Sequence, residues 1–185
     1  MSQTGTAVLP AIYTIDPAHS TVNFAIRHFM VAYVRGGFSG VNGTVVFDAQ
    51  NPSNSKVEAS IYVTTLLSHD TRRDAHIQGA DLLNTANHPK VTFVSKQVAA
   101  NGPNHWKVTG DLTLRGVTKE TILDVETAPA EAKDPMGNIR NGVSATTTLK
   151  RGDFGMVFNV PLETGGFMLS EDVHIQIDLQ LIRKQ

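Results

Sequence analysis

The sequence contains no cysteine. Thiol catalysis, disulfide staples and cysteine-ligated metal sites are therefore excluded. Neither sign of charge is in excess: 16 Lys and Arg stand against 17 Asp and Glu, a formal net charge of -1. With no basic field to hold a phosphate backbone, nucleic acid is not an expected partner. The apolar runs are far shorter than the roughly 18 residues of a membrane span, so no spanning helix is expected. Met1–Ala11 lacks a basic stretch followed by an apolar one. The expectation is a cytoplasmic address, or a periplasmic one if a leader has been removed.

What the chain does have is β-branched side chains. There are 19 Val, 10 Ile and 19 Thr in 185 residues, against 13 Leu and 16 Ala. Stiff, branched side chains suit pleated strands. Fifteen Gly and eight Pro supply turns. An all-helical protein, a coiled coil and a disordered chain are poor readings of this composition. The apolar share of 41% suffices for one packed domain. Residues 1–11 read as a flexible N-terminus and 12–185 as a single domain.

Alternation at period two marks half-buried antiparallel strands. Val22, Phe24 and Ile26 alternate with polar or small neighbours, as do Val57, Ala59, Ile61 and Val63. Trp106, Val108, Leu112 and Leu114 form a third series, and Val173, Ile175, Ile177, Leu179 and Leu181 a fourth. Weaker strands are expected near 37–48, 91–98, 120–127 and 142–150, with Asn-Gly and Asp-Pro turn signals around them. One segment, 68–86, breaks the alternation. It predicts a helix over 70–83, capped by Asp70 and followed by Pro89, folded across one opening. A second long connection, 151–171, precedes the last strand. About eight such strands fit either a closed up-and-down barrel or a two-sheet sandwich, and alternation does not separate them.

Catalytic motifs are absent. There is no HExxH, no Gly-x-Ser-x-Gly elbow and no phosphate loop. His69 and His76 stand seven apart, about 10.5 Å along a helix, too far to share one metal ion. No metal and no catalytic cofactor are expected. Arg72, Arg73, Asp74 and His76 form a dense polar cluster, either a solvated helix face or the polar contacts at a barrel mouth. The inward rows are almost free of charge. They form either a solid core or a dry cavity for a long apolar ligand, and composition leaves both open.

Longer motifs narrow the reading. The opening strand, YTIDPAHSTVNFAIRHFMV, contains Asp16, Pro17, His19, Ser20, Phe24 and His28. VRGGFSGVNGTVVFD follows, with Arg35, Gly36, Phe38, Gly40 and Gly43. RRDAHIQGADLLNTANHPKVTF, TGDLTLRGVTK, KRGDFGM and EDVHIQIDLQL complete the series. In this order, from Tyr13 to Leu181, they resemble the YceI-like family of bacterial lipid-binding barrels. The main departure is Leu82-Leu83, where the family more often has a pair of Phe; this changes the shape of one wall.

The resemblance implies an all-β fold: an eight-stranded antiparallel, lipocalin-like up-and-down barrel with a short helix near its mouth. It implies an interior that binds and carries or stores a polyisoprenoid, an isoprenoid quinone or a fatty amide, with a homodimer as a common assembly. The expected cavity wall is Val22, Phe24, Ile26, Phe38, Ile61, Val63, Leu82, Leu83, Phe93, Leu112, Leu114, Phe154, Phe158, Ile175 and Ile177. Arg72, Arg73, Asp74 and His76 are the expected contacts to a polar head. Two other readings remain: an enzyme on such a lipid with His76, Arg72 or Asp74 as acid–base groups, and a ligand-free structural barrel.

Overall fold

The computed structural model describes residues 10–185. Most of the expected flexible N-terminus lies outside the described residues. Ala11, assigned to that segment from the sequence, already opens the first strand. The strands are β1 (Ala11–Ile15), β2 (Thr21–His28), β3 (Ala32–Ser39), β4 (Asn42–Phe47) and β5 (Lys56–Tyr62). After the helix α1 (Thr71–Gln78) come β6 (Lys90–Ala100), β7 (His105–Leu114) and β8 (Val117–Thr127). The two-residue β9 (Ala132–Lys133), β10 (Ile139–Lys150) and β11 (Leu169–Arg183) end the chain.

All pairings are antiparallel, and β4 to β8 pair each with the next in the chain, as β2 does with β3. β1 and β2 lie end to end along one edge of β11, and β3 and β4 lie end to end beside them. Each pair is therefore one barrel strand broken in the middle. β10 pairs with the other edge of β11, from Arg140 opposite Ile182 to Lys150 opposite Asp172. That pairing closes an eight-stranded up-and-down barrel. Closure leaves few open edges, which a sandwich of the same strands would expose.

The break between β1 and β2 is held by a buried carboxylate. Asp16 accepts from the Ala18 N–H at 3.0 Å and from Arg140 Nη1 at 2.7 Å, and its Oδ2 lies 2.9 Å from His19 Nδ1. Arg140 also donates through Nε to Asp134 at 2.6 Å, which ties the turn before β10 to the break. The Arg140 guanidinium, with His19, lowers Asp16 to about 2, and Arg140 holds Asp134 well below the usual carboxylate range. A depressed folded pKa stabilises fully above the unfolded value, near pH 4, and that stability is lost as pH falls through the folded value. Stability to thermal unfolding should therefore fall between about pH 4 and pH 2. Arg140→Gln is expected to flatten that slope, and an unchanged slope would remove this network from the acid response.

α1 is shorter than the expected 70–83. Asp70 does cap it, accepting from the Arg72 and Arg73 N–H groups at 3.0 and 2.9 Å. The helix stops at Gln78 because Gly79 is extended (φ -67, ψ 172) and turns its N–H back to the His76 carbonyl. His69 precedes the helix at φ +62, so it shares no helical face with His76.

Candidate functional site

Period two carries one row of each strand inward. Val22, Phe24 and Ile26 of β2 lie opposite Phe38, Gly36 and Val34 of β3. A Cβ at Gly36 would sit 2.6 Å from the Phe24 ring, so only glycine lets that ring turn into the barrel. In β6 the inward parity switches from Phe93 to Val98, because a bulge lies between Ser95 and Gln97. The interior is not filled. A cavity of about 1130 Å³ extends from α1 to the loop at 128–131 that follows β8.

Of the expected wall, Val22, Phe24, Ile26, Phe38, Ile61, Leu82, Leu83, Phe93, Leu112, Leu114, Phe158, Ile175 and Ile177 all line this cavity. Val63 and Phe154 do not, and their placement is corrected. β5 ends at Tyr62, and Val63–Thr65 forms a 3-10 turn whose first N–H bonds to the Pro89 carbonyl. That turn removes Val63 from the alternation. Phe154 lies in a second 3-10 turn, Arg151–Phe154. Both residues pack with Leu83, Leu114 and Met156 in a small solid core near α1, Val63 being only 1% exposed.

The polar cluster divides as well. Arg72, Arg73 and His76 line the cavity at the α1 end. Asp74 does not: its carboxylate accepts from the Ser68 N–H at 2.8 Å and secures the segment entering the helix. Arg73 donates to the Ser68 hydroxyl at 2.8 Å and also to the Ser68 carbonyl, so its guanidinium is largely occupied. Arg72 and His76, one turn apart, remain exposed. His28 and His76 are the histidines on the lining, and each meets an aromatic edge rather than a hydroxyl or carboxylate. Neither is oriented as a base toward a nucleophile. Among the described residues no group of three His, Asp or Glu is placed to hold a metal ion. No helix there is long and apolar enough to cross a membrane.

Sequence reasoning missed part of the wall. Val143, Ala145, Thr147 and Leu149 of β10 line the cavity, but the Thr run 146–148 masks their alternation. Met156 and Met168 reach it from the connection 155–168, which has no period to read. At the opposite end Tyr13 donates to Glu131 at 2.7 Å, and Arg183 donates to Glu131 at 2.8 Å. Burial and the Glu131 carboxylate push the Tyr13 phenol up to about 12.

An antiparallel meander closed around an apolar cavity defines a hollow, lipocalin-like barrel, distinct from the small barrels that fill with side chains. The chain belongs to the YceI-like domain family, which matches it over residues 13–181. UPF0312 protein SAS2572 of Staphylococcus aureus (strain MSSA476) is 38% identical over 165 residues, 89% of this chain and 93% of its own. The YCEI protein of Campylobacter jejuni superimposes with a TM-score of 0.72 at 27% identity, covering 86% of this chain and 90% of that one. A polyisoprenoid binding domain from Saccharophagus degradans shares the fold at a TM-score of 0.66 and 16% identity, over 93% and 98% of the two chains.

Proposed function

We propose that the protein binds a long apolar lipid within the barrel and carries or stores it. The observation behind this reading is the cavity itself: about 1130 Å³ lined by aliphatic and aromatic side chains. A packed barrel core leaves few voids larger than a water molecule. An apolar chain gains roughly 0.8 kcal/mol for each methylene it removes from water, without directed contacts. Walls preformed by a closed sheet lower the ordering cost of binding. A polyisoprenoid, an isoprenoid quinone and a fatty amide are the ligand classes this reading covers. The polyisoprenoid-binding description of the Saccharophagus degradans neighbour agrees with the first. The polar head lies beside Arg72 and His76.

The test is the organic extract of the purified protein, analysed by mass spectrometry before and after incubation with a polyprenol and with an isoprenoid quinone. The expected outcome is lipid of unchanged mass, near one molecule per chain. A lipid of altered mass supports an enzyme. An empty extract with no uptake of either probe overturns the proposal.

A further inference from the structure

The β2–β3 turn is costly twice over. Phe29, Met30 and Val31 join the strands, and Phe29 and Met30 adopt φ +48 and +66. Glycine and asparagine enter this left-handed region most readily, whereas bulky side chains are rare there. All three residues expose their side chains, Val31 to 76%. The connection 155–168 packs beside this turn: the Phe29 N–H donates to the Met168 carbonyl at 2.9 Å. It adds Val157, Val160 and Phe167, also exposed. Two neighbouring loops therefore present six large apolar side chains to solvent, where single exposed ones would need no explanation.

The two strands behind the turn carry only basic charge, flanked on β11 by Asp172 and by Glu171, which is paired with Arg151. Residues 21–40 contain no Asp or Glu. Arg27 and Arg35 lie over the Tyr33 ring at 4.8 and 5.1 Å, just behind the turn. Neither is in a salt bridge among the described residues. Glu163 is the one acid in the connection. His28 and Met168, next to the rim in sequence, line the cavity.

We infer that these two loops form a membrane-docking rim, which sets the α1 end of the barrel against a bilayer with anionic headgroups. This rests on the lipid-binding reading of the cavity, since docking there brings the lipid store beside its source. The apolar tips enter the acyl boundary, and Arg27 and Arg35 reach the phosphates, as basic and aromatic residues do at interfaces. A bilayer fits better than a second copy. A two-fold contact through this rim would set Arg27 and Arg35 of both copies together, and among the described residues neither arginine has an acid partner.

The test is flotation of delipidated protein with vesicles of phosphatidylcholine alone, or with about 30% phosphatidylglycerol. The parent should float with the anionic vesicles. The double variant Phe29→Asn/Met30→Gly should lose binding at least tenfold while its Tm rises, because these residues suit the left-handed turn. Arg27→Gln/Arg35→Gln should lose only the preference for anionic vesicles. A parent that stays unbound, or a turn variant that floats as well as the parent, overturns docking. So does a dimer in sedimentation that the turn variant dissolves, if the parent binds no vesicles. The cavity is scored separately by extraction: protein that holds lipid but does not float refutes docking alone, and protein that floats without uptake refutes the cavity reading alone.

Discussion

Ile177→Trp is expected to empty the barrel of lipid while leaving the ligand-free fold nearly as stable as the parent. Ile177 lies mid-strand in β11, opposite Val22 on one side and Ala145 on the other, and all three line the cavity. An indole there fills space that no protein atom occupies. Bound lipid per chain should fall at least tenfold, with Tm of delipidated protein changed by no more than about 2 °C. Val63→Trp should behave oppositely. Val63 is 1% exposed in a solid core, so a larger side chain overpacks it and costs about 1–3 kcal/mol with or without lipid. Thermal unfolding of delipidated protein, beside quantified lipid content, checks both. If Ile177→Trp retains full lipid, the ligand does not pass the middle of β11.

Arg151→Met should destabilise the protein by about 3–5 kcal/mol, a fall in Tm near 10 °C for a chain of this size. Arg151 is 3% exposed. Its guanidinium donates to the carbonyls of Ser170, Met156 and Phe158 at 2.9, 2.7 and 2.6 Å, and to Glu171 at 3.0 Å. The bonds to Met156 and Phe158 hold the connection 155–168, and the bond to Ser170 ties the same guanidinium to β11. Removal of the donor leaves buried carbonyl oxygens unpaired, and each costs about 1–3 kcal/mol. Met156 and Phe158 line the cavity, so lipid exchange should also accelerate. A Met variant with parental Tm would show that the connection is anchored elsewhere.

Strand alternation made most of the wall legible. Ile175 and Ile177 could be placed inward because polar neighbours flank them in a strand paired on both edges. The same rule failed at Val63, where the apolar spacing continues but the backbone bonds to Pro89 and leaves the strand. It failed differently at β10, where inward Thr147 sits between two other threonines. Asp74 read as a mouth residue because a charge on a short helix carries no sign of its partner. The Ser68 N–H that it accepts from is set by the path of the chain into α1.

The amino-acid sequence by itself determined the all-β class, a count of about eight strands and most of the apolar rows, since period two and turn residues are local properties. It also placed the chain in its family through motifs spread from Tyr13 to Leu181. Only the tertiary structure decided that the interior is hollow. A filled barrel and an empty one have the same alternation, and the volume left over depends on strand tilt, register and closure between β10 and β11. It alone separated Val63 and Phe154 from the wall, and it brought the β2–β3 turn beside the connection 155–168. Those contacts join residues far apart in the chain, and no local period records them.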